Sequence, residues 1–347
     1  MSEAETFFAV AHKKKIQTRL CKVLNLEIPI FQAPMAGAVT PQLISAVANK
    51  GGLGMVPLSN LPIEVCEKLI DDTLALSHQP IGVNLILEWD QTERLELSLK
   101  KGIKIIWFFW GDPSSFIDKI HAADGKVILT VGSAEEAKHA VDAGVDVIVA
   151  QGWEAGGHVW GHVATFPLVP AVVDAVAGRV PVVAAGGIAD GRGLAAALAL
   201  GAEGVVLGTR LLSSHEAGIH EKYKHRLLEA KETDTVYTDI FEKGWPHSYS
   251  RILRNSTYDQ WLTSGQAQSG QRPGEHDIVA YYPSGQSVER YSRNLPASMM
   301  EGNLEALAHY AGQSVGLVKN RMSVPEILDE VVRDAIKCMR TCQTLLI

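Results

Sequence analysis

Eight short apolar runs rich in valine and isoleucine, separated by stretches of helical character, fill the chain from residue 28 to residue 208. They are Ile28–Pro34, Leu53–Pro57, Ile81–Leu87, Ile103–Phe109, Val127–Val131, Val145–Gln151, Val180–Ala185 and Gly204–Gly208. A β-branched run of this kind reads as a parallel strand covered on both faces. Strands alternating with helices give a parallel sheet wrapped by helices. Eight such units match a closed barrel better than an open doubly wound sheet. The expected fold is therefore α/β, a (β/α)8 TIM barrel with an inserted smaller domain after strand 8. Helix start signals agree: Pro41 opens Pro41–Lys50, and Ser133 stands as an N-cap before Ala-Glu-Glu-Ala. Ile63–Leu76 is a further helix of this kind.

After strand eight the rhythm changes. Residues 213–230 read as a charged helix, and 231–297 is polar, rich in Gly, Ser, Pro and Tyr, with no strand–helix repeat. Helical periodicity resumes at Met299–Tyr310 and Val324–Thr344. The expected division is a barrel formed by 1–230 plus 322–347 and an inserted substrate-side subdomain at 231–321. So long an excursion is usually functional, and barrel active sites open on the C-terminal face, so it is expected over that mouth. Its aromatics (Tyr249, Tyr258, Trp261, Tyr281, Tyr282) either line an apolar pocket there or pack among themselves.

A net charge of −7 argues against nucleic acid, whose phosphates call for a basic surface. The four cysteines, Cys21, Cys66, Cys338 and Cys342, are too scattered for a disulfide framework or a zinc cluster, and no thiol lies between residues 67 and 337. Cys338 and Cys342, i,i+4 on one helix, read as paired packing. The apolar stretch Phe7–Ala11 before Lys13-Lys14-Lys15 is too short for a signal h-region, and nothing approaches a membrane span. The expectation is a cytoplasmic protein that binds neither nucleic acid nor membrane.

The chemistry concentrates where strands end. Strand six breaks into Gln151-Gly-Trp-Glu-Ala-Gly-Gly-His158. Gly156 and Gly157 let the backbone approach a flat ligand, and His158 is a side chain that moves protons near neutral pH. Strands seven and eight end in Ala185-Gly186-Gly187 and Leu207-Gly208-Thr209. Barrels of this class commonly hold a phosphate between those two loops, on backbone N–H groups and a short helix N-terminus. Glycines also simply make tight turns; both clusters together favour phosphate, with Thr209 adding a hydroxyl. The first strand ends in Phe31-Gln-Ala33-Pro-Met35, a wall for an aromatic ring, although core packing is the commoner use of a lone Met. Asn84 and Gln151 each offer a donor and an acceptor, suited to a heterocycle edge. Glu154 reads as a carboxylate orienting neighbouring backbone, and Trp107-Phe-Phe-Trp110 as barrel core and rim. His162 lacks an acidic companion, so no metal site is expected; His215, His220 and His225 read as solvated.

Taken together, Gln32-Ala-Pro-Met-Ala-Gly37, Gly51-Gly-Leu-Gly54, Gly82-Val-Asn84, Gln151 to His158, Ala184-Ala-Gly-Gly-Ile-Ala-Asp-Gly191, Gly208-Thr-Arg210, Arg254-Asn255-Ser256 and Ala311-Gly-Gln-Ser-Val-Gly-Leu317 resemble the nitronate monooxygenase (2-nitropropane dioxygenase) family. The resemblance spans about residues 25 to 320. It implies an FMN-bearing barrel, with phosphate at Gly186, Gly187, Gly208 and Thr209, ring contacts at Ala33, Met35, Asn84 and Gln151, and a catalytic His158. The small-molecule partners it implies are a nitronate or nitroalkane and O2, in a chain that could form a homo-oligomer. The implied reaction is FMN-dependent oxidation of alkyl nitronates or nitroalkanes by O2 to carbonyl compounds and nitrite, with His158 as the base. Three alternatives stay open: an NAD(P)H-dependent FMN reductase of quinones or enoyl thioesters, a flavin-free isomerase or lyase using the same phosphate loops, and a non-catalytic flavin carrier. No Gly-x-Gly-x-x-Gly helix start is present for a dinucleotide.

Overall fold

The computed structural model describes residues 15–346; Phe7–Ala11 lies outside the described residues. Its barrel strands are β1 (Ile30–Gln32), β2 (Gly54–Pro57), β3 (Ile81–Ile86), β4 (Ile105–Phe109), β5 (Lys126–Val131), β6 (Val147–Gln151), β7 (Val182–Ala185) and β8 (Gly204–Leu207). They pair in parallel in the order β1-β8-β7-β6-β5-β4-β3-β2. Leu53 closes the ring. Its N–H donates to Ile30 O (2.9 Å), and Gln32 N–H donates to Leu53 O (2.9 Å). All eight runs found in the sequence are therefore strands of one (β/α)8 barrel.

Strand side chains alternate between two cores, as a period of two requires. Ile105 and Trp107, Val147 and Val149, Val183 and Ala185 point into the barrel. Their neighbours Ile106, Phe108, Ile148, Ala150, Val182 and Ala184 pack outward beneath the helices. Nothing in the apolar alternation marks the helix Arg19–Leu24, whose Leu20, Cys21 and Leu24 join the interior cluster. A Cβ on Gly204, at the start of β8, would lie 2.6 Å from Leu20 Cδ2, so this helix plugs the barrel's N-terminal end.

The outer helices start where expected. Pro41–Asn49 has proline in its first turn, and Ser133 Oγ accepts from Glu136 N at 3.2 Å. Ile63–Leu76 is helical over the range read from the sequence. The last helix, Val324–Gln343, packs along Gly191–Ala199, where a Cβ on Gly191 would meet Ala335 N at 2.3 Å. Of its two cysteines only Cys338 packs against the core. Cys342 is exposed, so the paired reading holds for one partner alone.

Between these parts the sequence reading needs correction. The charged helix is Glu221–Glu229, shorter than 213–230, because Gly218 N–H donates to Ala38 O (2.7 Å) and ties the preceding turn to the barrel. Within 231–297, Thr235–Thr238 and Ser250–Leu253 are antiparallel strands, followed by the helix Ser256–Thr263. Ser250–Leu253 also pairs with the short strand Gly157–His158, with Ser250 opposite His158. A second small sheet joins Ile278–Tyr281 to Ser287–Glu289 and Glu301–Gly302. Met299–Tyr310 is not an α-helix: it contains that last strand and a single turn at Leu304–Ala306. Gly302 has φ +117°, and a Cβ there would sit 2.5 Å from Val279 O. Its apolar residues serve a separate small core of Val279, Ala280, Val288, Met300, Leu304 and Leu307. Among the described residues, no helix is long and apolar enough to cross a membrane.

Candidate functional site

A cavity of about 260 Å³ lies at the C-terminal ends of the barrel strands. All eleven sequence-derived residues line it: Ala33, Met35, Asn84, Gln151, Gly156, Gly157, His158, Gly186, Gly187, Gly208 and Thr209. The segment after β8 closes the opposite side with Trp245, Arg293, Leu295, Tyr310 and Ser314. Two layers of structure thus face one another across the space, barrel strand ends below and inserted segment above.

One wall is a glycine cradle. Gly186 and Gly187 hold φ of +95° and +72°, a region that L side chains rarely adopt. A Cβ on Gly186 would lie 2.9 Å from Gly152 O, and one on Gly187 would lie 3.0 Å from Glu154 Cγ. Gly208 has φ −110° and precedes the short helix Thr209–Leu212. Among the described residues, the amides of Gly186, Gly187, Gly208 and Thr209 donate to no protein acceptor. Four free N–H groups at adjacent strand ends are the kind of donor set an anion takes. Thr209 Oγ1 accepts from Gly312 N (3.0 Å), which leaves its own hydroxyl proton to give.

Glu154 holds this wall in place. Both carboxylate oxygens accept from Thr165 N (3.1 and 3.0 Å), and Thr165 Oγ1 donates to Gly186 O (3.0 Å). Its assignment to orienting backbone agrees with this geometry.

The flat side of the cavity is set by β1, β3, β4 and β6. Asn84 donates to Trp107 O (3.0 Å), while Trp107 Nε1 donates to Thr130 Oγ1 (2.8 Å). Gln151 is placed differently from the reading as a free heterocycle contact. Its Nε2 donates to His158 O (3.0 Å) and its Oε1 accepts from Trp160 N (3.0 Å). One donor and one lone pair are thus spent clamping the loop that carries the histidine.

His158 sits in an aromatic box. Its ring stacks on Trp245 at 4.3 Å, tilts against Tyr310 at 5.7 Å and meets the edge of Trp110 at 6.3 Å. Trp110 adopts φ +65°, unusual for so bulky a residue, and is braced by Trp160 and Trp245, each 4.9 Å away. The Trp107–Trp110 run therefore supplies both barrel core and part of this box. His158 Nε2 is buried and has no hydrogen-bond partner among the described residues. Burial, and then the nearby Arg293 guanidinium, push its pKa down to about 3. The imidazole is neutral across the physiological range, where the sequence alone suggested titration near neutrality.

Trp245, Arg293, Leu295 and Tyr310 escape the sequence reading. The five aromatics named in their place do not line the cavity. Tyr258 and Trp261 pack on one another, Tyr249 stacks on Tyr237, and Tyr281 is exposed. Only Tyr258 and Trp261 pack within the set, and Tyr282 instead accepts from Asn294 Nδ2 (2.7 Å). The Ala311–Leu317 motif was the available signal: Gly312 binds Thr209 and Ser314 reaches the cavity. Asn255 instead caps Ser256–Thr263 by accepting from Tyr258 N (3.0 Å). His220 also caps a helix, while His215 and His225 are exposed.

Two buried imidazoles give a stability prediction. His309, packed on Tyr223 at 4.6 Å, is likewise pushed to about 3, chiefly by burial and then by Arg226. Between about pH 6.5 and 3 the unfolded chain binds protons at these positions and the folded chain does not. Stability is therefore lost as pH falls through that window, by about 1.4 kcal/mol per pH unit per group. Urea midpoints at pH 7 and pH 5 should differ strongly in the native protein. His309→Gln should shrink that difference; an unchanged pH response would show that His309 titrates normally.

Comparisons with known proteins bear on this site. The family model described as nitronate monooxygenase matches residues 17–94 and 88–334. The (3aS,4S,5R,7aS)-5-hydroxy-7a-methyl-1-oxo-octahydro-1H-indene-4-carboxyl-CoA dehydrogenase of Mycobacterium tuberculosis is 32% identical over 358 residues, covering 95% of this chain and 99% of its own. A probable nitronate monooxygenase of Staphylococcus saprophyticus is 32% identical over 376 residues, covering 94% and 99%. Among solved structures, FabK from Thermotoga maritima superposes with a TM-score of 0.81 at 31% identity, covering 95% of this chain and 100% of that one.

Proposed function

This chain belongs to the nitronate monooxygenase family, and on that footing we propose that it is an FMN-dependent enzyme oxidising alkyl nitronates with O2 to carbonyl compounds and nitrite. The observation that carries the reading is the unpartnered, buried Nε2 of His158 in the same cavity as four free backbone amides. An FMN phosphate would fit those amides at Gly186, Gly187, Gly208 and Thr209, the three glycines keeping the approach open. Ala33, Met35 and Asn84 fit the flat ring. Bound FMN would supply the electron acceptor that O2 then reoxidises.

The protein's own residues do the rest. Trp245, Tyr310 and Trp110 pack around the imidazole and hold its plane. Gln151 clamps the backbone at His158 and Trp160, which holds the loop that presents the imidazole. Neutral His158 is in the right state to accept a proton from the carbon beside a nitro group, or to donate a hydrogen bond to a nitronate already formed. A pKa near 3 makes it a weak proton acceptor, so the pre-formed nitronate is the better substrate.

A second reading is an NAD(P)H-dependent reductase of quinones or enoyl thioesters, and the carboxyl-CoA dehydrogenases among the relatives support its thioester part. Anaerobic mixing separates the two. On the first reading an alkyl nitronate bleaches the bound flavin and neither NADH nor NADPH does so at a comparable rate. Rapid bleaching by a nicotinamide, with none by the nitronate, would transfer the assignment to the second.

A further inference from the structure

We propose that Arg293 is the substrate-anion receptor of this site, holding the two oxygens of a nitronate and so selecting ionised substrates over neutral ones. The proposal rests on the reading above and adds a residue that sequence motifs do not contain.

Charge sets Arg293 apart. Four arginines are buried among the described residues, and three of them face carboxylates. Arg210 has Glu330 at 3.6 Å, Arg272 has Glu275 at 2.5 Å, and Arg290 has Asp277 at 3.4 Å. The fourth, Arg251, donates to Trp153 O, lies over the Trp153 ring at 4.2 Å and is not on the cavity wall. Arg293 differs from all of them. It is half-buried, lines the cavity with His158, and has no carboxylate partner among the described residues.

Its side chain is nonetheless fixed. Nε donates to Lys243 O at 3.0 Å, and the guanidinium lies 5.3 Å from the Trp89 ring and 5.9 Å from Trp245. Tyr310 donates to Arg293 O at 3.0 Å and pins the backbone. Gly244, with φ +82°, leaves room beside Nη2, which would lie 3.2 Å from a Cβ there. Among the described residues, the terminal nitrogens are thus left without a protein acceptor. Two aromatic faces at this range replace only part of the hydration a cation gives up on partial burial. An anion entering the cavity would make up that shortfall.

Shape narrows the anion. A guanidinium fork binds planar two-oxygen anions through parallel hydrogen bonds. A nitronate has that shape, and neutral His158 contributes no competing charge. Here the neutral imidazole and the unpaired cation divide the work: Arg293 holds charge, and His158 handles the proton.

Nitrate is a planar oxyanion that this chemistry cannot oxidise, which makes it the probe. FMN-loaded native protein, Arg293→Met and Arg293→Lys would be titrated with sodium nitrate at constant ionic strength, following flavin absorbance and tryptophan fluorescence. Arg293→Met should weaken nitrate binding by about 10- to 100-fold, as expected for losing a charge-assisted pair. Arg293→Lys should fall between. With the nitronate, KM should rise more than kcat falls. Nitrate binding within about twofold of native in Arg293→Met overturns the proposal.

A measurement on the native protein guards against a variant that fails to fold or to hold FMN. The titratable groups facing Arg293 are His158 and Tyr310 across the cavity; on its own side Lys243 is paired with Glu289. A guanidinium stays charged, so nitrate affinity should be flat from about pH 6 to pH 9. Binding that tightens about tenfold per unit of falling pH would assign the anion to the His158 imidazolium instead. The two readings fail separately. Arg293-dependent nitrate binding without nitronate turnover would sink the reaction and keep the receptor. Nitronate turnover with an indifferent Arg293 would do the reverse.

Discussion

Gly208→Val is expected to yield a folded protein that purifies without flavin. Gly208 has a φ of −110°, outside the left-handed region, and a Cβ there would meet only Ala33 Cβ at 3.4 Å and Met35 Sδ at 3.9 Å. The added methyls project into the cavity, where a phosphate would need the Gly208 and Thr209 amides. Losing two charge-assisted hydrogen bonds of about 1.5–3 kcal/mol each weakens FMN binding by about 10²–10⁴-fold. Gly186→Val should lose flavin as well, but its +95° φ adds backbone strain, so a fall in Tm is expected there. Flavin released on denaturation, set beside the Tm, separates the two effects. A Gly208→Val protein carrying one FMN per chain would remove the phosphate assignment, and release of FAD from the native protein would remove the cofactor.

His158→Ala is expected to keep its FMN and lose most turnover of neutral nitroalkanes, by about 10²-fold, the low end of a positioned base's contribution because burial makes this imidazole a weak acceptor. Pre-formed nitronates should suffer less, because no proton has to leave carbon. The pH profile carries independent information. With the imidazole pushed to about 3 by burial and by Arg293, its protonated form is negligible at working pH. No acid limb near pH 6.5 should then appear in kcat/KM for the nitronate. Equal losses for neutral and ionised substrates would assign His158 to holding the anion. An acid limb near 6.5 that vanishes in the variant would show an imidazole far more solvated than this packing implies.

How much of this was legible beforehand varies by element, for physical reasons. The barrel was legible because every strand carries its own signature, a β-branched run whose two faces are both buried, and eight such signatures fill one closed sheet. The glycine cradle was legible for a related reason: positive φ at Gly186 and Gly187 demands glycine whatever surrounds it. Gln151 shows where such reading stops. Its residue type predicted a polar contact, but only the fold shows the amide turned toward the backbone of His158 and Trp160. Met299–Tyr310 shows the same limit from the other side. Its apolar spacing suited a helix, yet those side chains serve a small separate core that forms only once the Ile278–Tyr281 strand is beside it.

By itself, then, the sequence determined the barrel, the glycine turns at its strand ends and the place of the histidine, because these depend on local backbone geometry and periodicity. Tertiary structure alone decided which residues face that histidine and what state it is in. Trp245, Arg293 and Tyr310 lie between 87 and 152 residues from it along the chain and carry no local pattern. They meet His158 because Ser250–Leu253 pairs with Gly157–His158 and draws the inserted segment across the barrel mouth. Burial there strips the imidazole of water and sets an unpaired guanidinium nearby, and desolvation and charge at that range are properties of the assembled space.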